Sequence, residues 1–220
     1  METTPADTRT RIVRSAEKLF AEHGIAGTSV RMITDDANAN IAAVNYHFGG
    51  KDQLIRAIVI RRVMEIDEVR SKGLDALISS SISENRVPSL NEVVRCYLDP
   101  IIEHGFDHER GKMRPFVRFL RRLQEEPESF RREVTTLQDP IPSLDLLIRA
   151  LSMALEIELE RSPKMLMAMW YLVNASLQAL VMMEREGSVL GMKLPNQDEI
   201  RNGAVLFISG GLTELLTADT

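Results

Sequence analysis

The chain has 220 residues, 44% of them hydrophobic and 27% charged, a globular composition that excludes a wholly disordered protein. Lys and Arg number 27 against 32 Asp and Glu, so the net charge is -5, and this acidic balance taken alone disfavours a nucleic-acid partner. A single cysteine, Cys96, excludes an intrachain disulfide. The polar N-terminus is unlike a signal peptide, so we expect a cytoplasmic protein.

The first predicted helix runs from about Thr8 to His23, because apolar residues recur at helical spacing between Ile12 and Phe20. Gly24 is expected to end this helix. Thr28 or Ser29 then caps a short second helix.

A tight turn and another short helix follow. Asn38-Ala39-Asn40 is predicted to form the turn, since Asn tolerates the left-handed conformation and also serves as an N-cap. The next helix is predicted from Ile41 to Phe48, and Gly49-Gly50 ends it. Two short helices joined by such a turn and preceded by a third form a helix-turn-helix.

Helical spacing of apolar residues continues through nearly every later segment, which predicts an all-α fold. A three-helix helix-turn-helix domain, residues 1–52, is expected to precede a larger helical domain, residues 53–220. The boundary falls within a long helix and not in a flexible linker. The later helices are predicted at Lys51 to Ser71, Ser89 to His104, Lys112 to Glu126, from Pro127, at Ser143 to Glu160 after a break at Pro140-Ile141-Pro142, at Pro163 to Arg185 and at Gln197 to Leu216.

The helix from Ile41 to Phe48 is the informative one. Val44 and Phe48 lie four residues apart and can pack on the preceding helices. The opposite face carries Ala42, Ala43, Tyr46 and His47. Small residues let a helix enter the major groove closely, and Tyr and His can bond to bases or phosphates. The same pattern also suits an ordinary helical hairpin with an exposed aromatic face.

Residues 8–55 resemble the N-terminal domain of TetR-family transcriptional regulators over about a quarter of the chain. Asn38 stands where that family usually has Gly, and Asp35-Asp36 is acidic where basic or neutral residues are common. The stretches that carry the resemblance are Arg11-Ile12, Ala16, Leu19-Phe20, Gly24, Thr28-Ser29-Val30, Ile33, Ala43-Val44-Asn45-Tyr46-His47-Phe48, Lys51 and Leu54.

The resemblance implies which residues contact double-stranded DNA. Thr28, Ser29 and Arg31 would hold the DNA backbone, and Lys51 would hold a phosphate. Residues 8–51 carry six Lys or Arg and four Asp or Glu, a local charge of +2 that agrees with this role. The recognition-helix contacts implied are Asn40, Ile41, Ala42, Ala43, Asn45, Tyr46 and His47.

The resemblance also implies a homodimer on a palindromic operator, formed through the last two helices, Pro163 to Arg185 and Gln197 to Leu216. Gly203, Gly210 and Gly211 would allow close approach of the partner. The apolar stretch from Met165 to Met183 has two other readings, a protomer core helix and a membrane span.

A small, largely apolar effector is implied as well, because family members hold their ligands among the middle helices. Faint similarity to fatty-acid-responsive members suggests an acyl ligand whose acidic group would meet Arg118. The expected lining is Met113, Phe116, Arg118, Phe119 and Leu120 on one side and Met167, Trp170, Tyr171 and Asn174 on the other. The Met-rich segment from Met153 to Met192 suits either a pocket or ordinary core, and the basic stretch from Arg110 to Arg132 suits a solvated face.

The function predicted is a ligand-responsive transcriptional repressor without catalytic residues, cofactor or metal. No nucleophile motif, phosphate loop, dinucleotide fingerprint or Cys-x-x-Cys pair is present in the sequence, which disfavours an enzyme. The alternative is a membrane-associated or structural helical interaction protein.

Overall fold

The computed structural model describes residues 5–136, 141–184, 188–189, 192–193 and 195–218. Helices dominate these residues, so the all-α prediction is confirmed. In the described residues the helices are α1 (Pro5–His23), α2 (Val30–Asp36), α3 (Ile41–Phe48), α4 (Lys51–Ser83), α5 (Leu90–Gly105), α6 (Pro115–Gln124), α7 (Glu128–Thr135), α8 (Ser143–Leu155), α9 (Pro163–Met183) and α10 (Gln197–Thr217).

Two antiparallel ladders of two residues each were not predicted. β1 (Phe106–Asp107) pairs with β2 (Lys112–Met113), and β3 (Ser188–Val189) pairs with β4 (Met192–Lys193). The first ladder makes the predicted helix start at Lys112 wrong. Gly111 turns the chain at φ +62, β2 follows, and α6 begins only where Pro115 takes the first helical position.

Two further helix boundaries differ from the predictions. α4 continues to Ser83 and not to Ser71, since its buried residues Leu74, Leu77 and Ile78 continue the helical spacing. α8 ends at Leu155, where Glu156 adopts a left-handed conformation at φ 54, and does not reach Glu160. Pro140 and Arg185, used in two of the predicted boundaries, lie outside the described residues.

The described residues of Met1–Met64 and Arg114–Asp139 form one compact unit. α1 packs against α2, α3 and α6 in this unit. The ring of Phe20 on α1 stacks on that of Phe119 on α6, with centroids 5.5 Å apart. Ile12, Ile33 and Val44 are fully buried and bring α1, α2 and α3 into one core.

A buried ion pair joins α1 to α4 in this unit. Arg62 donates from Nε to Glu17 Oε1 at 2.7 Å and from Nη2 to Glu17 Oε2 at 2.8 Å. The Glu17 side chain is only 7% exposed, whereas that of Arg62 is 34% exposed. The guanidinium carbon of Arg62 also lies 5.6 Å from the ring centroid of Phe116, so one side chain contacts α1 and α6.

The described residues of Glu65–Met113 and Pro140–Thr220 form the second compact unit. α5 packs against α8, α9 and α10, and α9 packs against α10. Arg201 on α10 binds Asp99 at 2.8 Å and Glu103 at 3.0 Å on α5. Among the described helices, α9 is long and apolar enough to cross a membrane by length and composition. Its buried residues instead contribute to the core of this unit.

The Glu17–Arg62 pair predicts unequal effects of removing its two members. Arg62→Ala leaves a buried carboxylate unpaired and should lower the free energy of unfolding by about 3 kcal/mol. Glu17→Gln should cost about 1 kcal/mol, because Arg62 keeps access to water. Urea denaturation followed by circular dichroism at fixed protein concentration measures both. Equal losses would contradict the asymmetry.

Candidate nucleic-acid interface

Local caps define both short helices, as the sequence predicted. Ser29 Oγ accepts from the backbone N–H of Met32 at 3.2 Å at the start of α2. Asn38 takes the left-handed conformation at φ 47, and Asn40 Oδ1 accepts from the Ala43 N–H at 2.8 Å at the start of α3. Gly49, at φ 84, ends α3. The helix-turn-helix therefore has fixed ends on both helices.

Helix α3 has one buried side and one exposed side. Val44 is fully buried, whereas Tyr46 is 84% and Ile41 50% exposed. Tyr46 and His47 contact each other edge to face, with ring centroids 5.0 Å apart. The remaining predicted contact residues are exposed in the case of Asn40, Ala42 and Asn45 and half-buried in the case of Ala43 and His47. The whole predicted set is thus brought together on the outward side of one helix or at its start.

Phe48 is half-buried, so it is less enclosed than Val44. The guanidinium carbon of Arg9 on α1 lies 5.2 Å from the Phe48 ring centroid, and the centroid of the His47 ring lies 6.2 Å from it. This cation–π contact covers an aromatic ring at the end of α3 and ties it to α1.

The residues that flank α3 differ in how freely they face solvent. The Arg31 side chain is 82% exposed, with Asp35 3.9 Å away. Lys51 Nζ donates to the Ile25 carbonyl at 2.5 Å. Thr28 is 1% exposed, and its Oγ1 donates to the carbonyls of Leu19 at 3.1 Å and Gly24 at 2.8 Å. A DNA contact from the Thr28 side chain stays a prediction that this packing does not favour.

The acidic residues at the end of α2 are partly neutralised. Lys18 Nζ on α1 binds Asp36 Oδ1 at 2.7 Å. This hydrogen bond, together with one from Ser15, lowers the pKa of Asp36, and the same contact raises the pKa of Lys18. Asp36 is therefore held toward α1 by Lys18, and this cation offsets the repulsion that its carboxylate would exert on a phosphate.

Arg11 is a positioning residue whose role sequence reasoning missed. Its Nε donates to the Ala37 carbonyl at 3.0 Å and its Nη2 to the Asn38 carbonyl at 3.5 Å, and it also pairs with Asp7. These two carbonyls directly follow the C-terminal end of α2, where the helix dipole favours a cation. The contact joins residues 26 positions apart, which no local pattern could indicate.

The residues predicted to line an effector site are divided between the two units. In the first unit Phe116 and Phe119 are buried with ring centroids 6.4 Å apart, while Arg118 and Leu120 are half-buried. In the second, Met113 is buried and its N–H donates to Glu184 at 3.0 Å. The α9 residues are outward: Met167 is 47%, Trp170 60% and Tyr171 50% exposed, and Asn174 donates to the Trp170 carbonyl at 2.8 Å.

The basic stretch from Arg110 to Arg132 contains several exposed ion pairs. Arg122 lies 3.3 Å from Glu125, and Arg132 lies 2.6 Å from Glu128. Such exposed pairs contribute little to stability, and the role of the basic side chains of this stretch as a solvated face stays a prediction. Among the described residues, no group of three or more His, Cys, Asp or Glu side chains is placed to hold a metal ion.

Part of the chain is similar to a known protein family. The family model for "Bacterial regulatory proteins, tetR family" matches residues 12–58. These residues include α2 and α3 in full, with most of α1 and the start of α4.

Curated relatives agree with that match, and a solved structure shares the fold. A probable HTH-type regulator of Bacillus subtilis, YttP, is 34% identical over 50% of this chain and 48% of its own length. The chain thus spans about half the length of that relative. The HTH-type repressor SCO4008 of Streptomyces coelicolor is 26% identical over 68% of this chain and 78% of its own length. SmeT, the repressor of a Stenotrophomonas maltophilia multidrug efflux pump, has TM-score 0.58 and 19% identity over 93% of this chain and 91% of its own, which shows the fold.

Arg11 gives a prediction about the turn. Arg11→Ala removes the donor to the Ala37 and Asn38 carbonyls, so amide hydrogen exchange at residues 37–43 should accelerate about tenfold or more. Arg14→Ala, an exposed arginine on the same helix, is the matched control and should leave exchange there unchanged. Mass spectrometry of exchanged peptides measures both. Unchanged exchange in Arg11→Ala would show that the caps alone hold the turn.

Proposed function

The chain belongs to the TetR family of bacterial transcriptional regulators, and from that premise we propose that it binds operator DNA as a homodimer and acts as a repressor in the cytoplasm. Proteins of this family bind DNA, form homodimers, bind small molecules and are not enzymes. The observation that carries the proposal is the exposed side of α3, presented by a helix whose other side is buried through Val44.

The neutral side chains of α3 are suited to contact the edges of bases. Ala42 leaves space for close approach to the floor of the major groove, and Asn45 and Tyr46 offer hydrogen-bonding groups. Arg31, an exposed residue of α2, supplies a positive charge for a phosphate oxygen. We place the DNA-contacting segment within residues 1–52, with Lys51 as its last contact.

The outward side of α10 supports a dimer surface. Phe207 is 82% and Leu206 64% exposed, which is unfavourable in water unless another surface covers them. A Cβ added at Gly203, Gly210 or Gly211 would meet nothing within 4 Å, so backbone is open to a second helix there. These five residues recur at helical spacing along one side of α10.

A groove of about 560 Å³ lies beside this stripe between α9 and α10. Its lining residues include Tyr171, Ala175, Phe207 and Gly211. Each copy therefore presents both a protruding ring and a concave apolar surface. Self-complementarity of this kind is what a two-fold interface requires, so a second copy of the chain is the occupant we propose. Exposed Trp170 and Met167 on α9 extend the same apolar surface.

We assign effector binding to the helical domain of residues 53–220, with a small and largely apolar ligand that releases DNA. α4 contributes its first part to the N-terminal unit and its later part to the second. A ligand that changes the packing of the later part of α4 can thereby change the orientation of α3. Linkage requires that DNA, in turn, weaken binding of such a ligand.

Recognition by α3 predicts weaker operator binding when its exposed side chains are shortened. Tyr46→Ala and His47→Ala should each lower affinity about tenfold or more, since one base or phosphate contact contributes about 1–3 kcal/mol. An operator selected from random duplexes and fluorescence anisotropy at fixed salt provide the measurement.

Two matched variants complete that experiment. Tyr46→Phe isolates the hydroxyl, and Lys72→Ala removes an exposed charge from the second unit and should leave affinity unchanged. The recognition-helix assignment is wrong if Tyr46→Ala and His47→Ala bind as the unchanged protein does. Failure of the unchanged protein to select any duplex would contradict the proposed function itself.

The α9–α10 surface predicts the oligomeric state. Phe207→Glu places a charge in the interface and should convert a dimer into a monomer in sedimentation analysis, with a matching loss of operator affinity. Ile82→Glu, at another exposed apolar residue (56% exposed), should remain dimeric. A dimer that survives Phe207→Glu would contradict this surface, and a monomeric protein that partitions into lipid vesicles would favour membrane association.

A further inference from the structure

Ile41, the first residue of α3, is an exposed apolar side chain outside the core of its unit. It is 50% exposed, whereas Val44, which holds α3 to the core, is fully buried. A β-branched side chain is also a poor choice for an exposed helical position, because it loses rotamer freedom there. Single exposed apolar residues are nevertheless common on proteins, so the neighbours of Ile41 decide whether it has a role.

The neighbours of Ile41 on the outward side of α3 are small or neutral. Asn45 follows four residues later, so it lies next to Ile41 one turn further along the helix. Ala42 lies beside both, and Ala42 and Asn45 are exposed. These three residues therefore form one continuous outward surface, with an apolar side chain at one end and a carboxamide at the other.

The four bases present different chemical groups in the major groove. Arg or Lys binds guanine, a carboxylate accepts from cytosine, Asn or Gln binds adenine through a paired donor and acceptor, and apolar side chains contact the methyl group of thymine. α3 contains no Lys, Arg, Asp or Glu, so it lacks the side chains best suited to guanine and cytosine. It does carry the types that suit adenine and thymine.

The other hydrogen-bonding side chains of this helix are less suited to base contact than Asn45. Asn40 Oδ1 already accepts from the Ala43 N–H at 2.8 Å, so its acceptor is engaged by the cap of α3. His47 is half-buried, and its ring contacts that of Tyr46 edge to face. Asn45 is exposed and lies on the outward side beside Ile41, so it is the carboxamide best placed to face a base.

We propose that α3 selects A·T base pairs, with Ile41 in contact with a thymine methyl group and Asn45 hydrogen-bonded to N6 and N7 of an adenine. This inference rests on the proposed function, in which α3 binds in the major groove of an operator. Side chains four residues apart on a helix are about 5–6 Å apart, and successive base pairs are about 3.4 Å apart, so the thymine and the adenine should lie within about two base pairs of each other in each half-site.

A purely structural role for Ile41 makes a different prediction. If Ile41 only stabilised α3, its loss would weaken binding to every duplex by the same factor. If Ile41 contacts a methyl group, its loss weakens binding only where that methyl group is present. Deoxyuridine separates the two roles, because it lacks the C5 methyl group of thymine and keeps O4 and the base-pairing edge.

The experiment removes single groups from the DNA. The full-length protein selects an operator from random duplexes, and each thymine is then replaced by deoxyuridine in both half-sites at once. Fluorescence anisotropy at fixed salt measures affinity. At one thymine position the replacement should weaken binding about 15-fold, since one buried methyl group corresponds to about fourfold and the operator has two half-sites. Replacing an adenine within about two base pairs of it by 7-deazaadenine, which lacks the N7 acceptor, should weaken binding about fivefold or more.

Variants assign these effects to residues. Ile41→Ala should bind the operator more weakly and lose the effect of deoxyuridine, and Asn45→Ala should lose the effect of 7-deazaadenine. Arg31→Met, which changes an exposed residue of α2, is the matched control: it should weaken binding to all duplexes and keep both base effects. Ile41 and Asn45 are exposed, so both variants should fold, and the deoxyuridine measurement on the unchanged protein needs no variant.

The outcomes separate this inference from the proposed function. An operator without A·T base pairs in its half-sites, or one whose affinity is insensitive to every deoxyuridine replacement, overturns the inference and leaves the proposed function intact. The role of Ile41 is overturned if Ile41→Ala keeps the full effect of deoxyuridine, and that of Asn45 if Asn45→Ala keeps the full effect of 7-deazaadenine. A protein that selects no duplex contradicts the proposed function, and the inference falls with it.

Discussion

The burial of one side of α1 is the constraint on which the N-terminal unit depends. Ile12, Ala16 and Phe20 are fully buried, and α2, α3 and α6 all pack against the helix that carries them. α3 is too short to be stable alone, so its orientation comes from this packing. The exposed side of α3 is consequently defined by what α1 holds on the other side.

Polar contacts then fix the relative positions of helices within each unit, which apolar packing alone does not determine. Glu17 with Arg62 fixes α1 against α4, and Arg11 fixes α1 against the turn before α3. In the second unit Asp67 joins α4 to α8 in the same manner. Each of these buried or half-buried groups has a compensating partner, as buried polar groups in proteins generally do.

The sequence predicted those parts of the fold that depend on local chemistry. The caps at Ser29 and Asn40 and the left-handed Asn38 all follow from side chains within three residues of the backbone they satisfy. The predicted end of α4 was wrong, because the helix continues through Gly73, where Cys96 packs close to the position that a Cβ would take. The exposed side of α3 was predicted correctly because Val44 identifies the buried side. The contacts of Arg11, Arg62 and Arg70 join residues 26 to 45 positions apart and leave no local signal.

The distribution of charge bears on how the protein would distinguish its operator from other DNA. The net charge of the chain is -5, and the acids nearest α3 are directed to neighbouring cations, Asp36 to Lys18 and Asp35 toward Arg31. The α3 helix itself contains no Lys, Arg, Asp or Glu. On the operator that we propose, few phosphate charges would therefore be neutralised per half-site, so non-specific affinity, which depends on counterion release, would be low. In the homodimer that we propose, specific affinity would come instead from base contacts made twice by two copies of α3, so the proposed dimer surface would matter as much to recognition as the recognition helix itself.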